Sequence, residues 1–217
     1  KTFTSVNFNM MIMVIYALIT IAIFGMWYYA RYEGNFLPSP KKTFNPMMLV
    51  AIVILVPGTQ FAANFIANLT GYIRPDWMQQ YNELFETSGI TDTTFVTVLY
   101  SVILAPICEE LIFRGVTMRC ARKALPFALA NLMQAALFGL FHLNWIQGIY
   151  AFALGIVLGY VCERGGSIYY SMGLHLLFNL WGTLSGFFPD PGNSVVVFVI
   201  VIAVTIVSLV GGVFLVY

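Results

Sequence analysis

Long apolar runs separated by short polar stretches constrain the fold of this chain more than any other feature. A helix that crosses a membrane needs about 20 mostly apolar residues. Six runs meet that length: Met10–Tyr29, Pro46–Leu69, Phe95–Met118, Pro126–Trp145, Ser167–Phe188 and Ser194–Val216. A seventh, Gly148–Cys162, is shorter and would span only a thin bilayer or with help from its flanks. The sequence therefore predicts an all-α, polytopic transmembrane bundle of about seven spanning helices, forming one domain over residues 1–217.

Composition supports a membrane protein. Of the 217 residues, 60% are hydrophobic and 9% are charged, whereas soluble domains carry about 25% charged residues. The formal net charge of +1 gives no indication of a nucleic-acid partner. The three cysteines show no metal-type spacing and are expected to be free thiols. The chain starts at Lys1, which fits a trimmed N-terminus, and its first apolar run is too long for a typical signal peptide.

The charges between the runs predict the orientation in the membrane. When all seven runs are counted in chain order, the loops after the first, third and fifth are basic, with these residues: Arg31, Lys41, Lys42, Arg119, Arg122, Lys123 and Arg164. The intervening loops are acidic or neutral. Because positive loops remain on the cytoplasmic side, we expect the N-terminus outside and the C-terminus in the cytoplasm.

One polar stretch has a helical pattern of its own. Its apolar residues fall at helical spacing, with polar residues between them: Trp77, Met78, Tyr81, Leu84 and Phe85. This stripe predicts a short amphipathic helix at the membrane interface. Anchoring is the favoured function, and a gate over a substrate cleft is the alternative.

Charged residues within the apolar runs concentrate in the third run, which contains Glu109, Glu110 and Arg114. Charges inside hydrocarbon are costly and are usually paired or functional. Glu110 and Arg114 lie four residues apart, so they share a helix face and can pair. Glu109 is turned about 100° away and has no such local partner. One acid is therefore neutralised and the other is free for chemistry.

Both histidines lie within predicted spans. His175 and Asn179 are one turn apart on one helix face, and His142 belongs to another run. Each histidine alone fits a hydrogen-bonded packing role. Counted from the inner helix ends at about 1.5 Å per residue, Glu109 and these three residues lie roughly 13–24 Å deep. They can therefore meet in one layer, although spacing does not show that their helices are neighbours.

Three motifs in this region carry a family resemblance: Glu-Glu-x-x-x-Arg from Glu109, Phe-x-x-x-His from Phe138 and His-x-x-x-Asn from His175. In this order they resemble the CPBP (CAAX protease and bacteriocin-processing, Abi) family of intramembrane endopeptidases, which includes the type II CAAX prenyl endopeptidases. The motifs cover Leu104–Trp181, within a family-like core at about 91–189. The resemblance implies hydrolysis of a peptide bond in a prenylated (CAAX-like) or membrane-associated protein or peptide precursor. The short chain resembles the prokaryotic members, so a prokaryotic cell membrane is expected.

The resemblance also implies roles for individual residues. Glu109 would be the general base and His142 its partner in activating water. His175 and Asn179 would stabilise the oxyanion, a contribution of about 3 kcal/mol per donor. Three further residues would support the site: Glu110, Arg114 and Phe138.

Alternatives remain open for both function and cofactor. A non-proteolytic immunity or regulatory protein on the same scaffold is the first, and a proton-linked transporter is the second. Glu109, His142 and His175 could also supply a zinc site, which needs three protein ligands. The spacing His-Glu-x-x-His is missing and Asn179 is a poor zinc ligand, so a metal-free enzyme without cofactors is favoured.

Overall fold

The computed structural model describes residues 3–30, 45–88, 94–185 and 194–217, and these contain eight helices and no β-strand. In chain order the helices are α1, Phe3–Tyr28; α2, Pro46–Ile73; α3, Pro75–Ser88; α4, Phe95–Ala121; α5, Phe127–Phe141; α6, Trp145–Gly165; α7, Ile168–Ser185; and α8, Val195–Val216. The prediction of an all-α bundle is confirmed. Several charges used for orientation lie outside the described residues: Arg31, Lys41, Lys42, Asp92 and Asp190.

Five of these helices are long and apolar enough to cross a membrane, namely α1, α2, α4, α6 and α8. The chain is therefore an integral, multi-pass membrane protein. The two other apolar helices, α5 and α7, have 15 and 18 residues. The run expected to be too short, Gly148–Cys162, belongs to the 21-residue α6 and is a full candidate span.

The run Pro126–Trp145, predicted to be one span, is interrupted by a turn between two helices. Helix α5 ends at Phe141, and Leu143 takes a left-handed backbone conformation with φ 52°. The Asn144 side chain then caps α6 by accepting a hydrogen bond from the N–H of Gln147 at 3.1 Å. The consequence is that His142 lies at the C-terminal end of α5 and not inside a continuous span.

Helix α2 lies at the centre of the bundle, where Leu55 and its neighbours pack against α6, α7 and α8. Its contact with α8 is very close at Gly58. The Gly58 N–H donates to the Ser208 hydroxyl at 2.8 Å, and that hydroxyl donates to the Ile54 carbonyl. A Cβ at Gly58 would lie 2.6 Å from this hydroxyl oxygen, so only glycine permits the approach.

Helix α4 departs twice from α-helical geometry. It is π-helical over Leu99–Leu104 and again over Leu111–Met118, on either side of a short α-helical segment, Ala105–Glu110. Pro106 lies inside α4, directly after the first π-helical stretch, and its missing N–H removes one backbone hydrogen bond of the helix there. Single π-helical turns often occur at functional sites because they re-aim side chains. Here they set the direction of Glu109 and Glu110.

The predicted amphipathic helix is present as α3. Its Trp77 ring stacks on Trp145 of α6 with ring centroids 5.3 Å apart. At its start, Arg74 pairs with Asp76 at 2.6 Å, and this hydrogen bond holds the pKa of Asp76 below its usual range. Helix α3 therefore packs along the bundle, attached chiefly to α6, α2 and α1.

Candidate active site

A cavity of about 900 Å³ opens between the helices and receives side chains from α1 to α7. Five of the seven residues singled out from the sequence line it: Glu109, Phe138, His142, His175 and Asn179. The remaining two, Glu110 and Arg114, lie behind its wall and are fully buried. The structure therefore brings the three sequence motifs to one site.

The His175 imidazole lies between the two glutamates. Its Nδ1 is 2.9 Å from Glu110 Oε1, and its Nε2 is 3.6 Å from Glu109 Oε2. An ionised carboxylate only accepts hydrogen bonds, so Nδ1 carries the proton that is donated to Glu110. The Nε2 atom then has an N–H to donate only when the ring is protonated.

The buried ion pair between Glu110 and Arg114 supports this arrangement. Arg114 Nη1 is 2.8 Å from Glu110 Oε1, with no solvent exposure of either side chain. The other terminal nitrogen of Arg114 donates to the Gly155 carbonyl of α6 at 3.3 Å. The guanidinium carbon also lies 4.6 Å from the centre of the Phe138 ring. This pair thus connects α4 to α5 and α6.

Phe138 is the packing centre of the site. Its buried ring makes edge contacts with both imidazoles, at centroid distances of 4.9 Å to His142 and 5.7 Å to His175. The Phe138 carbonyl is also 2.8 Å from His142 Nδ1. Because a carbonyl only accepts, His142 carries its proton on Nδ1 and leaves a lone pair on Nε2. His142 is therefore equipped to accept a proton or a water hydrogen bond.

Asn179 connects α7 to the first π-helical stretch of α4. Its amide nitrogen donates to the Ser101 carbonyl at 2.8 Å. The amide group has two hydrogens, and this bond uses one. Asn179 lies one turn beyond His175, so both side chains face the same part of the cavity.

Several polar residues of the cavity wall were missed by the sequence reading: Gln60, Asn64, Ser101, Gln147 and Tyr150. Gln60 and Asn64 are four residues apart in an otherwise apolar span, a signal that could have found them. The others follow only from which helices are neighbours. Tertiary contacts, not spacing, determine this part of the site.

Helix α3 covers one side of the cavity with Tyr81, Leu84 and Phe85. The Tyr81 phenol forms a hydrogen bond with Tyr150 of α6. Burial raises the pKa of Tyr81 by more than this hydrogen bond lowers it. The amphipathic helix is thus part of the cavity wall, a position compatible with either anchoring or gating.

The zinc alternative would use Glu109, His142 and His175 as ligands. Across the described ranges, no group of three or more His, Cys, Asp or Glu side chains is arranged to hold a metal ion. In both histidines Nδ1 is engaged, by Glu110 for His175 and by the Phe138 carbonyl for His142, so Nε2 is the nitrogen that each ring presents to the cavity. All three cysteines are free thiols.

Comparison with known proteins identifies a family for the part of the chain that contains this site. Residues 91–181 match the family model described as type II CAAX prenyl endopeptidase, Rce1-like. The match includes every site residue from Glu109 to Asn179, and it confirms the resemblance found in the motifs. At the level of the family, it supports a CAAX-type intramembrane protease. No curated protein and no solved structure gives a significant match.

Proposed function

Proceeding from this family match, we propose that the protein is an intramembrane endopeptidase. It hydrolyses a peptide bond in a membrane-associated or prenylated, CAAX-like protein or peptide precursor. The observation that carries the proposal is the convergence of a carboxylate, two imidazoles and a carboxamide on one 900 Å³ cavity within the membrane helices.

In the proposed reaction, Glu109 removes a proton from a water molecule, which attacks the scissile carbonyl. His142 assists by accepting a hydrogen bond from the same water at Nε2. The proton taken by Glu109 passes to the leaving amine nitrogen as the C–N bond breaks. General base catalysis of this kind contributes about 10²–10⁴-fold to the rate.

The oxyanion of the tetrahedral intermediate is stabilised by two donors from α7. The protonated His175 ring donates from Nε2, and the Asn179 amide donates its second hydrogen. Preorganised donors in a site with little water are effective because they need no reorganisation during the reaction. Glu110, Arg114 and Phe138 act as positioning residues. Together they fix the position of the His175 ring, and the ion pair with Glu110 holds the guanidinium of Arg114.

The proposed reaction uses no metal and no cofactor. Asn179 is suited to an oxyanion and poorly suited to zinc. In this proposal the substrate reaches the cavity from the bilayer or from the cytoplasmic face.

The test compares cells with the wild-type protein and cells with Glu109→Gln by proteomics of membrane peptides. An amide cannot accept the water proton, so one or more precursors should accumulate uncleaved. Glu83→Gln on α3 removes an exposed carboxylate and is the matched control. A cellular function that survives Glu109→Gln, with no uncleaved precursor, would instead identify an immunity or regulatory binding protein.

A further inference from the structure

The wall of the cavity formed by α2 contains a polar pair that the proposed reaction does not use. Gln60 and Asn64 both line the cavity. Gln60 is more than nine-tenths buried, and its Oε1 atom has no hydrogen-bond partner in the part of the chain that the structure describes. Its amide nitrogen lies 3.4 Å from Asn64 Oδ1. A buried acceptor without a partner is unusual, and it is satisfied if a ligand brings a donor.

This pair lies opposite the helix that carries the oxyanion donors. A Cβ at Gly182 of α7 would lie 3.9 Å from both terminal atoms of Gln60. The neighbouring residues Phe61 and Trp181 contact each other edge to face, with centroids 6.2 Å apart. The missing side chain at Gly182 therefore leaves a narrow space between the Gln60 carboxamide and α7.

The register of α7 relates this space to the reaction centre. His175, Asn179 and Gly182 follow the helical pattern of one face, and all three line the cavity. Seven residues separate His175 from Gly182, which is about 10 Å along the helix axis. An extended peptide covers that distance with about three residues.

We propose that Gln60 and Asn64 form a subsite that binds the main chain of an extended substrate peptide, about three residues from the scissile bond. Gln60 Oε1 accepts a hydrogen bond from a peptide N–H. Asn64 Nδ2 donates to a peptide C=O. The inference rests on the proposed peptidase function and adds a substrate-binding element outside residues 91–181.

The chemistry of the carboxamides fits this ligand. They are uncharged and present one acceptor and two donors, which are complementary to peptide N–H and C=O groups. A peptide that leaves water for a membrane cavity must satisfy these groups again, since unpaired backbone groups are costly there. Main-chain contacts hold the peptide extended without selecting its side chains, as in strand addition to a sheet edge.

The experiment measures binding to the full chain carrying Glu109→Gln, which blocks turnover. The probe is a fluorescent, S-farnesylated peptide with three residues after the modified cysteine. Analogues carry an N-methyl group at one amide at a time, which removes one N–H donor. We expect one analogue to bind about threefold to tenfold more weakly than the parent, as one neutral hydrogen bond contributes.

Adding Gln60→Leu to the Glu109→Gln chain should weaken binding of the parent peptide by the same factor. It should also remove the difference in affinity between the parent peptide and that analogue. In the active protein, Gln60→Leu should raise KM and leave kcat within about twofold. Gly182→Leu should fill the space and weaken all the peptides, whereas Gly182→Ala should be tolerated at 3.9 Å. Asn68→Leu, an amide of the same helix that does not line the cavity, is the matched control.

Three results would overturn the subsite. They are no binding of the parent peptide, unchanged affinity of the parent peptide for Gln60→Leu, or weaker binding of the same N-methyl analogue that persists in Gln60→Leu. The outcomes for the two proposals are separable. Cleavage of the peptide by the wild type with no effect of Gln60→Leu removes the subsite and retains the peptidase. Gln60-dependent binding without any cleavage retains the subsite and removes the peptidase.

Discussion

Two adjacent glutamates have opposite surroundings in this protein. Glu110 is enclosed by Arg114 and His175, and its side chain has no solvent exposure. Glu109 faces the cavity, with 15% of its side chain exposed. One position along the helix thus separates a positioning carboxylate from the proposed base, because one residue turns the side chain by about 100°.

The difference predicts unequal effects of removing each charge. Glu110→Gln should lower the free energy of unfolding by about 3–5 kcal/mol, because it leaves the buried Arg114 without its counter-charge. Glu109→Gln should leave the free energy of unfolding nearly unchanged and abolish turnover. Unfolding in detergent and cleavage assays on the same preparations measure both.

A double variant serves as the control for the ion pair. Glu110→Leu combined with Arg114→Met removes both charges, and it should recover most of the stability lost in Glu110→Gln. Equal losses of stability in Glu109→Gln and Glu110→Gln would contradict the division between the two acids.

Metal removal tests the proposed chemistry at the same scale. After strong chelation, the purified protein should retain its activity, because in the proposed reaction Glu109 and His142 activate water unaided. Elemental analysis of the same sample verifies that metal is absent. Activity that disappears with the metal and returns with one equivalent of zinc would show that the metal-free reaction is wrong.

At this scale the sequence was informative about pairs within one helix. The spacing of Glu110 and Arg114 was sufficient to expect their contact. The position of His175 between both glutamates was not predictable, because it requires α7 to pack beside α4. Spacing determines which side chains share a face and leaves open which faces meet.

At the scale of helices, the stacking of Trp77 on Trp145 is one of the contacts that attach α3 to α6. Trp77→Ala removes the stacking on Trp145, a contact of about 1 kcal/mol, so α3 should open roughly fivefold more often. Hydrogen exchange of the α3 backbone amides measures this change. Trp77→Phe retains a stacked ring and is the control. Equally faster exchange in α2 would indicate global destabilisation and contradict a local role.

Helix boundaries were the least predictable feature at this scale. The run from Pro126 to Trp145 is apolar enough overall to predict one span, yet the helix ends at Phe141. The sequence signal for this boundary is Asn144, a good N-cap residue. In the structure it directly follows the turn at Leu143. Apolar composition alone cannot separate one long span from two helices that meet at a turn.

For the whole molecule, α8 provides stability without lining the cavity. A Cβ at Gly212 would lie 2.5 Å from Leu55 Cγ, so Gly212→Val should destabilise the fold by about 1–3 kcal/mol through overpacking. Activity per folded molecule should be unchanged. Thermal unfolding and specific activity of the folded fraction measure the two effects.

Gly211→Val is the matched control, because a Cβ there meets nothing within 4 Å. Loss of specific activity in Gly212→Val, with the folded fraction constant, would contradict a purely structural role of α8.

Some features of the whole molecule follow from the sequence and others do not. The all-α class and the convergence of the three motifs could be predicted from the sequence, because each depends on composition or on a known pattern. The spacing of Gln60 and Asn64 marks the two residues as a pair, but their place in the cavity wall was not predictable, since α2 lies far from the motifs in sequence. A central helix is recognised only when its neighbours are known.

The π-helical stretches of α4 also limit which sequence lengths this site can accept. A π turn holds one residue more than an α turn, so each stretch behaves like an insertion that has been absorbed locally. Deleting one residue within Leu99–Leu104 would convert the π turn into an α turn and leave the helix on either side close to its present phase. Deleting one residue between Ala105 and Cys108, where the helix has no such wide turn, would instead rotate all that precedes against all that follows by about 100°. Ser101 and Glu109 would then no longer face the same cavity.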